Sequence, residues 1–233
     1  MNKISFFFKT SWMRGASLLV IMCCAVYFPF FQNFFIWDDD YYLTKNPYLN
    51  DLDGLKRLWF DLWAMPQYYP LVFTSFWIEH KIWALDPLGY HVDNVIIHCI
   101  NSLILWRILA FLGVKRNWLV AAIFAIHPVQ AESVAWITER KNLLSGFFYF
   151  LSLYFFLHFY NPSKHFNFNK DQNEKRSWAI YWISLFFFIC ALWSKTVACT
   201  LPAVILLIHW WKQNCIRKKI FLIMIPYFTL SLG

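Results

Sequence analysis

Seven apolar runs dominate the sequence, at roughly 15–36, 92–113, 118–137, 142–160, 178–194, 197–211 and 220–233. Most are close to the ~20 residues a helix needs to cross the hydrocarbon core of a bilayer. A segment in lipid must satisfy its own backbone N–H and C=O groups, so such runs are read as helices. The 233 residues are 60% hydrophobic and 15% charged, short of the roughly 25% charged residues that cover a soluble domain. The runs therefore predict an all-α fold: a polytopic transmembrane helix bundle of about seven helices, forming a single domain over 1–233. The last run is still apolar at Gly233. It reads as a helix cut short, and the chain as the N-terminal part of a longer protein or of a split reading frame.

Lys3, Lys9 and Arg14 precede the first run as they would in a signal peptide. No small-x-small cleavage site follows, and the run is too long for a signal core, so it is read as a retained helix. Orientation follows from the basic residues, which favour the cytoplasmic side. With the N-terminus in the cytoplasm, segments 1–14, 114–117, 161–177 and 212–219 hold 13 of the 21 Lys and Arg residues. Of the 13 acids, only Asp171 and Glu174 fall on that side. The net charge of +8 is thus mostly a topology signal, and no nucleic-acid motif accompanies it. The six cysteines form no C-x-x-C pair and lie mostly within apolar runs, where they act as small packing residues.

Residues 37–91 then form one long outer loop. "NDLDGLKRLWFDLW" places Leu52, Leu55, Leu58, Trp59 and Leu62 on one helical face, with Asn50 or Asp51 as the cap. "PLVFTSFWIEHKIWALDP", 70–87, is apolar in its first half but carries Glu79, His80 and Lys81 between two prolines. Both segments are read as amphipathic helices lying on the outer leaflet.

Three clusters on this outer side carry chemistry. "FFIWDDDYYLTKNP" puts Asp38, Asp39 and Asp40 directly after the first span. Their mutual repulsion raises the pKa of at least one, which suits a general base for an incoming hydroxyl. The cluster could equally hold a divalent cation, or be a solvated helix end. In "AIHPVQAESVAWITERKNLLS", His127 and Pro128 interrupt an apolar run and predict a helix break. Beyond it, Glu132, Trp136 and Arg140 fall at i, i+4 and i+8, on one helical face, with Glu132 and Arg140 too far apart to pair. Each is then free to serve a ligand, and a His, a Glu and an Arg at a broken helix could together bind an anionic head group, unless the segment is a re-entrant turn satisfying its own backbone. Lys195, with Arg140 and Lys141, could complete a phosphate-binding patch. The second long helix carries His91, Asn94, His98 and Asn101 in one stripe. Interhelical hydrogen bonding is the role expected of His98 and Asn101, while His91, at the outer end, could reach a substrate.

The ordered series "DDDYYLTKNPYL", "YYPL", "DPLGYHVDNVIIHCINSLIL", "HPVQAESVAWITERKNLLS" and "SKTVACTLPAVILLIHWW" resembles the membrane half of the transmembrane-and-tetratricopeptide-repeat protein O-mannosyltransferases and their bacterial relatives, which are GT-C glycosyltransferases. The likeness covers about residues 30–215. It implies inverting transfer of a mannose-like sugar from a polyprenyl-phosphate carrier to a hydroxyl of a protein or glycan, on the non-cytoplasmic face. It implies Asp38 and Asp39 as the catalytic acids, with Asp40 orienting a ligand. His127, Glu132 and Arg140 match the family's His-Pro, Glu and Arg positions, and His91, Lys141 and Lys195 join them as substrate-binding candidates. The sequence departs from the pattern at Gln130, where many members have a second His, and at Thr196, where many have Glu or Pro. The resemblance further implies membrane lipids and a downstream helical-repeat region as partners. The membrane is the bacterial inner membrane, or that of the endoplasmic reticulum in a eukaryote. Two other readings stay open: a transporter or permease with the aspartates as an ion site, and a noncatalytic subunit or fragment of a glycosylation complex.

Overall fold

The structure, a computed structural model, describes residues 3–160, 174–216 and 218–232. The described residues are helical with no strand: α1 (Lys3–Tyr27), α2 (Leu52–Phe60), α3 (Pro70–Trp83), α4 (Pro87–Phe111), α5 (Asn117–Ile126), α6 (Ala131–Ala135), α7 (Arg140–Phe159), α8 (Glu174–Ser194), α9 (Leu201–Gln213) and α10 (Lys218–Leu232). Of the polar loop expected in the cytoplasm, residues 161–173 lie outside the described residues, as does Gly233. The chain divides into two compact units, 1–143 and 144–233.

The all-helical, membrane-spanning character is as expected, though among the described residues fewer than seven helices are long and apolar enough to span. Among the described residues three helical stretches are long and apolar enough to cross a membrane: Trp12–Gln32, Pro87–Phe111 and Ile137–Phe159. A fourth is possible if Asn117–Ile126 and Pro128–Ala135, bent by 50° at their break, count as one. The helices of the last three runs are shorter in their apolar parts, Trp178–Ser194 and Ile220–Leu232 among them. α8 and α9 are separated by a tight turn at Thr196–Thr200, which follows an extended Lys195. Periodic hydrophobicity cannot show such a turn, because its residues are as apolar as those around it.

The first unit is built around α1, α4 and the α5–α6 pair. Its core holds Leu19, Cys23 and Tyr27 of α1, Val95 and Cys99 of α4, and Ala121, Ala122 and Ala125 of α5. The alanines keep the α5 face flat, so helix backbones approach closely, the usual means of packing helices in lipid. Polar side chains then tie the helices. His98 Nε2 lies 2.9 Å from the Ala125 carbonyl, and Asn101 Nδ2 donates to the Leu143 carbonyl at 2.9 Å. The stripe read from the sequence does bond between helices, as expected of His98 and Asn101.

The 37–91 segment folds into a compact cap on this unit. Asp51 is the N-cap of α2, its Oδ1 accepting the Gly54 N–H at 2.6 Å. Trp59 Nε1 donates to Thr74 Oγ1 at 2.9 Å, and Trp77 Nε1 to the Asp51 carbonyl at 2.8 Å, so α2 and α3 brace each other. Along α3, Val72, Phe73, Phe76 and Glu79 are buried. At 14 residues α3 is too short to span, in line with its reading as a non-spanning helix. On α2, Leu58 is buried while Leu52 is exposed, and Leu62 is exposed beyond the end of the helix, so only part of the predicted stripe packs inward.

The second unit has a polar layer within its core. Ser152 Oγ donates to the Ser184 carbonyl at 2.8 Å, Ser184 Oγ donates to the Ser152 carbonyl at 2.6 Å, and the Tyr227 hydroxyl closes on Ser184 Oγ at 2.6 Å. These bonds pair α7 with α8 and α8 with α10.

Gly54 is where α2 presses on the Pro47–Leu49 turn, and a Cβ there would meet the Tyr48 backbone. Gly54→Ala should therefore destabilise the cap by roughly 1–3 kcal/mol. The drop is expected as a lower melting temperature of the protein in detergent, while Gly113→Ala, where a Cβ has open space but φ is +68°, isolates the cost of backbone strain alone.

Candidate functional site

The three aspartates part company as soon as the backbone is followed. After the first span the chain runs through Asn33 to Trp37, which adopts a left-handed φ of 47°. The wide turn that follows is closed by the Lys45 N–H on the Asp40 carbonyl at 2.8 Å. The reversal aims three neighbouring carboxylates in different directions. Asp39 is 1% exposed, whereas Asp38 and Asp40 are exposed.

Asp39 is bolted in place by the backbone. Its Oδ2 accepts the Ile36 N–H at 2.9 Å, and its Oδ1 accepts the Thr138 N–H at 2.9 Å. The second bond spans 99 residues, joining the end of the first span to the Ile137–Glu139 turn. Burial pushes the Asp39 carboxyl above the usual range, against the pull of the bonds from Ile36, Thr138 and the Trp136 side chain. Asp40 is engaged differently. Its carboxylate pairs with Lys45 at 2.7 Å and accepts from Thr44 Oγ1 at 3.0 Å, and the Lys45 bond holds its pKa below the usual range. That leaves Asp38 as the exposed carboxylate outside the Lys45 ion pair. It lies close enough to Tyr42 that, after burial, it is the next influence pushing the Tyr42 hydroxyl up to about 12.

Around Tyr42 the site closes. Its hydroxyl donates to Gln67 Oε1 at 3.1 Å, and its ring stacks on Phe73 at 5.3 Å. Lys141 Nζ sits 5.9 Å from the Tyr42 ring centroid, and it pairs with Glu139 at 2.7 Å. Glu139 in turn accepts from Asn142 Nδ2 at 2.6 Å. Asp38, Tyr42, Gln67, Glu139 and Lys141 thus share one neighbourhood, fed by the 37–91 segment and by the start of α7. Tyr42, Gln67 and Glu139 were not singled out from the sequence; the doublet Tyr41-Tyr42 beside the acids was the available signal.

The His127–Pro128 break occurs as read: α5 stops at Ile126 and a short turn follows. His127 is exposed and caps that turn, its Nδ1 accepting the Val129 N–H at 3.2 Å. Glu132 is exposed on α6. The shared face of Glu132, Trp136 and Arg140 does not exist, because α6 ends at Ala135 and Trp136 is extended, with φ −88° and ψ 122°. Nor is Arg140 free. It is 0% exposed and its guanidinium is fully engaged. Nε donates to Asn94 Oδ1 at 2.5 Å, Nη2 donates to the Tyr90 carbonyl at 3.0 Å, and Nη1 pairs with Glu79. Spacing along one helix missed a partner 61 residues away. The signal was Glu79 itself, an acid on the buried face of an apolar helix.

His91 is buried at the start of α4, beside the Asn33 backbone. Lys195 lies in the second unit, at the N-cap of the Thr196–Thr200 turn. Among the described residues, no group of three or more His, Cys, Asp or Glu side chains is placed to hold a metal ion.

The geometry separates the first two acids by role. Asp39→Ala strips the Ile36 and Thr138 amides of their acceptor, and an unsatisfied buried donor costs about 1–3 kcal/mol. Asp38→Ala, at an exposed position, should change stability by no more than about 0.5 kcal/mol. Thermal unfolding of the two variants side by side checks the difference.

Comparison with known proteins bears out the resemblance. The chain is 28% identical over 156 residues to Protein O-mannosyl-transferase F38B6.6 of Caenorhabditis elegans, covering 60% of this chain and 22% of that protein. It is 29% identical over 147 residues to Protein O-mannosyl-transferase TMTC3 of Homo sapiens, covering 59% and 16%. With Protein O-mannosyl-transferase TMTC4 of Homo sapiens the identity is 26% over 183 residues, covering 68% and 24%. No family model and no solved structure matches the chain. The matches span about a fifth of the length of these relatives. Over that part, the chain is similar to proteins named as O-mannosyl-transferases in a nematode and in mammals.

Proposed function

We propose that this chain is the membrane portion of a glycosyltransferase that moves a mannose-like sugar from a polyprenyl-phosphate carrier to a hydroxyl of a protein acceptor, on the non-cytoplasmic face. The observation that carries this reading is the split aspartate pair: an exposed Asp38 carboxylate held in place by a buried, backbone-anchored Asp39. The similarity to proteins named as O-mannosyl-transferases supports the same chemistry.

In this mechanism Asp38 is the general base. It takes the proton of the acceptor hydroxyl as that oxygen attacks the anomeric carbon. The bond from that carbon to the carrier phosphate breaks, and the electron pair leaves with the phosphate. The leaving group is already anionic, so it requires a cation more than a proton. Lys141 serves here, being the basic side chain beside Tyr42. Asp39 does not touch the substrate; it fixes the turn from which Asp38 projects. Arg140, sealed among Glu79, Asn94 and Tyr90, is a framework residue. Glu132 and His127, exposed on the broken helix, are available to the acceptor or to the carrier head group. The apolar spans supply the surface for the lipid tail.

Transfer of radiolabelled sugar from membrane lipid to protein tests this, comparing membranes that carry the native full-length protein with membranes that carry Asp38→Asn at matched expression. Removing a general base typically costs about 10²–10⁴-fold, so label transfer should fall by at least about 100-fold while the protein inserts and accumulates normally. Full activity in Asp38→Asn, Asp39→Asn and the double variant would rule the mechanism out. Substrate flux into proteoliposomes without sugar transfer would indicate a permease instead.

A further inference from the structure

The turn that anchors Asp39 is itself held by a buried charge. Residues 134–140 make no continuous helix, so their position is set by tertiary bonds. Asn94 Nδ2 donates to the Val134 and Trp136 carbonyls, each at 3.2 Å. The Thr138 N–H is taken by Asp39. Two residues on, Arg140 reaches back with three donors: to Asn94 and Tyr90 at the start of α4, and to Glu79 on α3. Its guanidinium also lies 5.3 Å from the Phe76 ring centroid, one turn before Glu79 on the same buried face.

Among these partners Glu79 alone carries charge. It is 7% exposed. Asn94 and Tyr90 satisfy hydrogen bonds, but neither neutralises a guanidinium in a low-dielectric interior. A buried ion pair deprived of one partner leaves an uncompensated charge, which is strongly destabilising. Without Glu79, Arg140 gains by turning toward water, and it carries the 137–139 turn with it. Thr138 moves with that turn, and Asp39 loses an anchor.

We propose that Glu79 is a positioning residue for the aspartate pair: its ion pair with Arg140 locks the 137–139 turn against α3 and α4, and through the Thr138 amide fixes Asp39 and hence the aim of Asp38. The chain of contacts runs Glu79, Arg140, Thr138, Asp39, Asp38. The first link is an ion pair and the third a hydrogen bond, both in the first unit; Arg140 is tied to Thr138 by the backbone through Glu139, and Asp39 to Asp38 by a peptide bond. The outer-loop helix α3 is thereby coupled to the acids although its charged side chain lies outside the reacting centre. The catalytic consequence rests on the transferase reading above, while the structural consequence does not.

Two measurements on the same full-length protein in lipid nanodiscs separate these. Hydrogen exchange followed over peptides covering 34–38 and 136–140 reports the Ile36 and Thr138 amides directly. Glu79→Ala should speed exchange in both peptides by about tenfold or more, with α8 and α9 unchanged. In the transfer assay, misplacing the base by about an ångström should lower kcat by about 100-fold, with KM for the lipid-linked donor within about twofold. Glu79→Asp, which keeps the charge, should recover part of the protection and part of kcat. A folded Glu79→Ala protein with native exchange at both peptides overturns the proposal, and so does fast exchange with native kcat. If Glu79→Ala does not accumulate, Glu79→Gln carries the same comparison, keeping the shape and losing the charge. If the native protein transfers no sugar, the transferase reading fails, and exchange alone decides whether Glu79 holds the turn.

Discussion

A guanidinium sealed inside a bundle of apolar helices sets strict terms for everything near it. Arg140 meets those terms with an acid from α3, an amide from α4 and a carbonyl from the first turn of α4. These come from parts of the sequence that no local rule would bring together. Burial pushes the Glu79 carboxyl upward and the Arg140 charge pulls it back, so the two groups are bearable inside only as a pair. Helix α3, the first turn of α4 and the start of α7 therefore have one mutual arrangement in the first unit. A softer set of apolar contacts would allow sliding; one charge with fixed donors does not.

This rigidity explains why the broken segment between α5 and α7 can be irregular without being loose. Irregular backbone at membrane depth is tolerated only where protein satisfies it. Here Asn94 takes two carbonyls and Asp39 takes an amide, while His127 caps the short turn after α5. The carboxylate that anchors the break also anchors the residue next to it. Structural satisfaction and the placing of an exposed carboxylate are thus the same set of bonds.

Much of this was legible in the sequence, where the signal was local. Pro128 marks the break, Asp51 caps α2, and the stripe through His98 and Asn101 bonds to neighbouring helices. The apolar runs 15–36, 92–113 and 142–160 match the three long spans. Spacing failed where identity of face depends on unbroken helix: Glu132 and Arg140 look aligned only if Trp136 is helical, and it is extended. The later runs, divided at Lys195 in the sequence, do form separate helices, and the apolar turn at Thr196–Thr200 shortens the second. The roles of the three acids were hidden for another reason. Composition marks them as a cluster, but which one is buried depends on the backbone at Trp37 and on an amide 99 residues away.

The left-handed Trp37, 79% exposed and set edge-on against Trp136 at 5.2 Å, gives the acidic triplet a phase. Inward, outward and salt-bridged positions are assigned by counting residues from that pivot, not by the amount of negative charge. Shortening the triplet by one would keep an acidic patch of almost the same strength while moving a different residue into the slot between the Ile36 and Thr138 amides. Tyr41 would then stand where Asp40 meets Lys45. What this segment conserves physically is a register, much as a key depends on the position of its cuts more than on how much metal has been removed.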